Sequence, residues 1–233
     1  MVDLTSEMAG LWAALGPARP DLGRVVMFVA ARGGEGVSTV AREFARLAAV
    51  RARRPVWLID ANLMSQSQQA EVAADPARFG ALGRPAAASP DGSAFFTVQP
   101  PLRGRSGAQI PDARLLTARP CLGGRLWVTG FRGEALRAGQ RALALPRGRW
   151  WEAMRRHADT VVVDLPAADR SDFALTLAPF ADAIVLVVAA GAAEAEEPAA
   201  LRDALEAAGG RVAGLVFNRA EIEAPPFLRR AAP

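Results

Sequence analysis

A glycine-rich segment near the N-terminus has the residue types that bind phosphate: residues 31–39 read ARGGEGVST. The segment follows an apolar, β-branched run and precedes residues with helical spacing, so it should join a strand to a helix. Such a turn directs backbone N–H groups and the positive end of a helix toward an anion. The pattern predicts either a phosphate-binding loop or a tight turn without a ligand. The candidate binding residues are Gly33, Gly34, Glu35, Gly36, Val37, Ser38 and Thr39.

This segment lacks the lysine that phosphate loops ordinarily contain. Gly36, Ser38 and Thr39 fit the pattern GxxxxGK[ST], but Ala31 stands at the first glycine and Val37 at the lysine. The chain contains no lysine at all, so its 28 basic residues are all arginine. Because the lysine contacts the transferred phosphoryl group, its loss predicts weak catalysis.

Three further polar side chains come directly after apolar runs. Asp60 and Asp164 each end a run that reads as a strand, and Asn218 ends the last such run. Ligands of parallel sheets bind at the carboxyl ends of the strands, so we expect all three to lie beside the glycine-rich segment.

The elements that must position these residues form an alternating pattern of strands and helices. Six apolar runs read as strands, at residues 25–30, 56–60, 126–129, 160–165, 183–189 and 212–218, and segments with helical spacing separate most of them. The pattern predicts a doubly wound α/β fold with a mainly parallel sheet. We expect an N-terminal helix within residues 1–16, a single domain over 24–220 and a tail at 221–233. A loop-rich insertion with one short strand at 95–98 is expected at about 74–120.

Composition excludes several classes of protein. One cysteine and one histidine rule out a disulfide framework and a Cys/His zinc site, so oxygen atoms must hold any metal. The formal charge of +4 gives no reason to expect specific nucleic-acid binding. The longest uncharged apolar run, residues 183–193, is shorter than the ~18 residues that span a bilayer. We therefore expect a cytoplasmic protein.

The blocks 24–64 and 122–220 resemble the cytoplasmic domain of bacterial tyrosine kinases (BY-kinases) of polysaccharide export. That family lies in the wider deviant-Walker group of P-loop proteins, which includes partition and division-site ATPases. Residues 34–39 match GEGKST except at Val37, residues 163–167 correspond to the Walker B block hDTPP, and Asp60 matches the first acid of hhhDxDxR. The resemblance implies a P-loop fold with ATP or ADP and Mg²⁺ as cofactors. Ser38, Asp60 and Asp164 would hold the metal and its waters, and Asn218 would read adenine.

Each of these roles has a structural alternative. Ser38 can be a helix N-cap only, and Asn218 can cap the turn after its strand. Arg32 matches the signature lysine of the partition-type group, yet it can also be an exposed loop residue.

The departures from the family pattern favour a degenerate relative without kinase activity. Besides Val37, Asn62 replaces a candidate general base, because an amide does not accept a proton at neutral pH. The sequence contains no tyrosine to phosphorylate. The family's ExxRxxR helix, which packs protomers into a ring, reads Glu7, Gly10 and Ala13 here.

The resulting functional hypothesis is an accessory protein of bacterial exopolysaccharide, capsule or adhesin biosynthesis and export. It would bind nucleotide weakly or not at all and hydrolyse little. Its partner would be a membrane polysaccharide co-polymerase or export component at the inner membrane, and self-association into a homo-oligomer stays open. Residues 4–15 and 225–228 are candidate docking surfaces unless they are buried. The alternatives are a partition-type ATPase that binds DNA non-specifically and an active ATPase that uses Arg32.

Overall fold

The structure is a computed structural model that describes residues 4–16, 18–19, 21–191 and 195–219. The predicted tail, with the surface at 225–228, lies outside the described residues. The strands are β1 Arg24–Val29, β2 Val56–Asp60, β3 Ala86–Ala87, β4 Phe96–Gln99, β5 Leu116–Cys121, β6 Leu126–Phe131, β7 Arg141–Ala144, β8 Thr160–Asp164, β9 Ala183–Ala189 and β10 Val212–Asn218. The α-helices are α1 Thr5–Leu15, α2 Val37–Arg51, α3 Gln68–Ala74, α4 Pro76–Phe79, α5 Arg149–His157, α6 Phe173–Leu177 and α7 Glu196–Ala207.

Eight strands form the main sheet, in the order β10-β9-β1-β8-β2-β6-β5-β3. Neighbours from β10 to β6 are parallel, whereas β5 and β3 add an antiparallel edge. β1, β8 and β9 are buried along their whole length, as expected of parallel strands covered by helices on both faces. The predicted doubly wound, mainly parallel α/β fold is confirmed.

The sheet divides the apolar interior into two cores. One core lies under α2 and includes Phe28 and Phe44, whose ring centroids are 5.3 Å apart. The other lies under α5, α6 and α7 and includes Trp150 and Trp151. Packing on both faces fixes the sheet, so the carboxyl ends of its strands can hold a site rigidly.

The N-terminal helix α1 packs on α2. Met8 is fully buried in the core under α2, and the Trp12 ring lies 5.9 Å from that of Phe44. The guanidinium of Arg24 lies over the Trp12 ring, 4.4 Å from its centroid. These contacts occupy the apolar face of residues 4–15 and leave little of it for a partner.

The stretch between α3 and β6 is more regular than its composition suggests. The apolar pattern predicts one strand there, and β4 at Phe96–Gln99 corresponds to it. The structure adds β3 and β5, and β5 pairs with β6 over its whole length. Arg119 and Pro120 interrupt the apolar pattern of β5, which is why the sequence does not reveal this strand. Among the described residues, no helix is long and apolar enough to cross a bilayer.

Candidate functional site

The glycine-rich segment joins β1 to α2 and depends on glycine at two positions. Gly34 and Gly36 both have φ of +93°, a left-handed conformation that glycine adopts without strain. The Gly36 carbonyl accepts hydrogen bonds from the backbone N–H groups of Thr39 and Val40, which starts the helix. A Cβ on Gly36 would collide with the Asn218 amide, and one on Gly33 would collide with the Arg170 guanidinium. The loop is therefore shaped by its glycines and closely covered by two side chains.

Glu35 fastens this loop to the sheet. Its carboxylate is buried and accepts hydrogen bonds from the backbone N–H of Arg32 at 2.9 Å and of Ala189, the end of β9, at 3.0 Å. The side chain thus points into the protein and braces the loop.

The two predicted carboxylates lie side by side below the loop. Asp60 and Asp164 are paired in register on the neighbouring strands β2 and β8 and are 2% and 1% exposed. Asp60 accepts backbone hydrogen bonds from Ser67 at 2.8 Å and Gln68 at 3.0 Å. Asp164 accepts a hydrogen bond from the Gln68 side chain at 2.6 Å. The sheet register therefore brings the two acids together as predicted.

Their electrostatics suit a cation. Burial, with the nearby negative charge of Asp60, raises the pKa of Asp164 to about 7. Burial also raises the pKa of Asp60, against the opposing effect of its backbone hydrogen bonds. Arg42 is the cation that lowers both values. Two buried carboxyl groups with raised pKa values make an oxygen-rich position for a divalent ion.

Ser38 is not the N-cap of α2, so the alternative that it only caps this helix is wrong. Gly36 occupies the N-cap position, and Ser38 is the second residue of the helix. Its side chain lies beside the Asp164 carboxyl group and lowers the pKa of that group. The three residues expected to hold Mg²⁺ therefore form one cluster.

Asn218 contacts the loop as well. Its Nδ2 donates to the Glu35 carbonyl at 2.8 Å, and its Oδ1 accepts from the backbone N–H of Arg219 at 3.0 Å. The amide braces both the loop and the turn after β10, while its role toward adenine stays a prediction.

Gln68 is a further site residue that the sequence pattern does not reveal. It is fully buried, and its Nε2 donates to Asp164 and, at 2.9 Å, to the Ser38 carbonyl. Its Oε1 accepts from Arg42 at 3.0 Å. The signal that could have found it is weak, because it stands in an ordinary polar run after β2, residues 65–69.

Replacing Gln68 with leucine should destabilise the ligand-free protein by about 1–3 kcal/mol, because buried polar partners would lose their hydrogen bonds. Urea unfolding measures the difference. Gln69→Leu is the matched control, since Gln69 is a partly exposed neighbour whose Nε2 donates to the Val128 carbonyl. Equal losses in the two variants would show that Gln68 does not organise the carboxylates.

A cavity of about 310 Å³ opens above the loop. That volume is at the lower end for small-molecule sites in proteins. The loop backbone and three arginines surround it, so its walls favour an anion. The lining residues are Arg32, Gly33, Gly34, Gly36, Val37, Ser38, Thr39, Asn62, Leu165, Pro166, Ala167, Arg170 and Arg219.

No family model and no curated relative matches this chain. Solved structures do share its fold. The kinase domain of Escherichia coli tyrosine kinase ETK is 17% identical, with a TM-score of 0.58 over 95% of this chain and 74% of that one. The VpsO kinase domain is 20% identical, with a TM-score of 0.54 over 85% and 86% of the two chains.

A division-site protein has the same fold. The septum site-determining protein MinD from Pyrococcus horikoshii, solved with Mg-ADP, is 17% identical, with a TM-score of 0.54 over 89% of this chain and 76% of that one. The chain thus has the P-loop fold of BY-kinase domains and MinD-type ATPases, as the sequence resemblance implies.

Proposed function

We propose that the protein binds an adenine nucleotide with Mg²⁺ at the loop formed by residues 33–39 and transfers its phosphoryl group slowly or not at all. The observation that carries this proposal is the cluster of Ser38, Asp60 and Asp164 beside a loop that has valine at the lysine position.

The residues present fit a magnesium ion. A hydroxyl and two carboxylates are the oxygen donors that Mg²⁺ prefers, and the ion usually keeps several waters as well. Mg²⁺ would supply positive charge to the two buried acids and to the phosphates. Ser38 would hold the ion, and Asp60 and Asp164 would position its waters.

The same residues argue against rapid turnover. Val37 is 8% exposed and belongs to the core under α2. This position therefore supplies no positive charge to stabilise the γ-phosphate during its transfer. Asn62 lines the cavity where a carboxylate would be needed as a base. Arg32 matches the signature lysine of the partition-type group and forms an ion pair with Glu197. This ion pair disfavours the alternative of an active ATPase that uses Arg32.

Two measurements on the wild-type protein test this proposal. Mg·ADP should raise the thermal unfolding midpoint more than Mg²⁺ with adenosine does, since the loop recognises phosphate. Phosphate release from Mg·ATP should stay far below the ~1 per second of ordinary phosphoryl-transfer enzymes. Turnover at that rate, or equal stabilisation by adenosine, would reject the proposal.

We infer the biological setting from the sequence resemblance to BY-kinase domains. We propose that the protein serves polysaccharide assembly or export through a membrane co-polymerase, whose cytoplasmic part would recruit it. The apolar face of α1 is packed on α2, so it offers this partner little. β10 is an edge strand of the main sheet, and Leu215 and Phe217 on it are 47% and 64% exposed. These two residues are the better candidates for contact.

Co-purification with the co-polymerase tests this setting. Phe217→Ser should weaken capture of the partner without unfolding the protein. Leu175→Ser, at an exposed position on α6, should leave capture unchanged.

A partition-type ATPase would instead bind duplex DNA and retain it at physiological salt. We expect any DNA binding by this protein to fall steeply as the salt concentration rises. Salt-resistant DNA binding without capture of the co-polymerase would contradict the proposed setting.

A further inference from the structure

We propose that Arg170 contacts the phosphates of the bound nucleotide and takes over part of the role of the missing lysine. The inference rests on the proposed nucleotide binding and assigns a recognition role to a residue outside the phosphate-loop pattern. Arg170 lies in the turn that follows β8, six residues after Asp164.

The backbone of this turn is fixed against the phosphate loop. The N–H groups of Ala168 and Asp169 donate to the carbonyls of Ala30 and Ala31 at 3.0 and 3.1 Å. In return, the Gly33 N–H donates to the Asp169 carboxylate at 3.3 Å. These hydrogen bonds between the turn and the loop therefore fix the backbone next to Arg170.

The Arg170 side chain reaches the loop itself. Its guanidinium lies directly over Gly33, where a Cβ would collide with it, and it lines the cavity together with Ser38 and Thr39. Within the described part of the chain, its ion-pair partner is Asp169 at 4.0 Å, and the Arg170 side chain is 70% exposed. A guanidinium held this loosely can turn toward a phosphate at little cost.

The chemistry of the group fits a diphosphate. A guanidinium has five N–H donors in a planar fork and binds phosphate oxygens in pairs, which a lysine ammonium does not do. The other two arginines that line the cavity differ from Arg170 in their surroundings. Arg32 pairs with Glu197, and Arg219 follows Asn218 at the end of β10.

Calorimetric titration of the full chain with Mg·ADP and with adenosine tests this role. Arg170→Ala should weaken Mg·ADP binding by about ten- to a hundredfold, the range for a charge-assisted hydrogen bond, and leave adenosine binding unchanged. Arg170→Lys should recover part of the loss. Arg219→Ala is the matched control from the same cavity and should have the smaller effect.

The outcomes separate this inference from the proposed function. If the wild-type protein does not bind Mg·ADP, the proposed function fails and the role of Arg170 fails with it. If the wild type binds and Arg170→Ala binds equally well, only the role of Arg170 is wrong. A loss of adenosine binding in parallel with ADP would also overturn it, because a phosphate contact cannot act on a ligand without phosphate.

Discussion

Replacing Asp164 with asparagine should stabilise the ligand-free protein at pH 8 and abolish its stabilisation by Mg·ADP. At that pH the wild type holds two buried carboxylates in adjacent strands, and the variant removes one charge while retaining an acceptor for Gln68. The expected rise in melting temperature is of the order of 5 °C. The loss of the Mg·ADP effect follows because Asp164 belongs to the set of oxygens that would hold the metal.

The same substitution should remove a pH dependence. The pKa of Asp164 is raised to about 7 in the folded protein, from 3.8, so the folded state binds a proton that the unfolded state has released. The stability of the wild type should therefore fall as pH rises from about 4 to about 7. Urea unfolding at pH 5, 6, 7 and 8 measures the slope for wild type and variant. Asp203→Asn, at an exposed position, is the control and should keep the slope of the wild type.

A variant that is less stable than the wild type at pH 8 would contradict this account of the carboxylate pair. So would a variant that keeps the full response to Mg·ADP. The first result would mean that the Asp164 carboxylate stabilises the ligand-free fold, and the second would mean that the metal lies elsewhere.

Restoring the lysine by Val37→Lys should raise the affinity for Mg·ADP by about tenfold or more, because an ammonium would then reach the phosphates from the start of α2. Val37 lines the cavity, so the longer side chain has a path toward it. The variant should also lose about 1–2 kcal/mol of stability, because Val37 packs in the core under α2. Calorimetric titration measures the first effect and urea unfolding the second.

Val37→Met is the control for this prediction, since it lengthens the side chain without adding charge and should leave the affinity unchanged. The lysine should also make Arg170 less important, so that Arg170→Ala costs less affinity in the lysine variant than in the wild type. A folded Val37→Lys protein with wild-type affinity would show that phosphate does not occupy this loop.

The fold was predictable because its signals are local. The buried parallel strands are continuous apolar runs, and β8 and β9 are buried at every position. The antiparallel strand β5 was not predictable in this way, because Arg119 and Pro120 break its pattern and its pairing with β6 is a tertiary feature.

The residues of the candidate site likewise fall into two groups, those that a local sequence pattern predicts and those that it does not. Asp60 and Asp164 end apolar runs, so the general rule for parallel sheets places them beside the loop. Gln68 and Arg170 follow those strands by several residues, and no local pattern distinguishes them from other polar surface residues. Their positions depend on how the turns after β2 and β8 fold back over the loop. The brace between Glu35 and the end of β9 is likewise a long-range contact that only the structure shows.

Calorimetric titration of the wild-type protein with ADP, once in Mg²⁺ and once in EDTA, determines whether the loop and the two carboxylates form a nucleotide site. We expect saturable binding in Mg²⁺ and much weaker binding in EDTA, because the two buried carboxylates would repel the phosphates if no cation offset their charge. No binding of ADP in Mg²⁺, or equal affinity in Mg²⁺ and EDTA, would contradict this expectation.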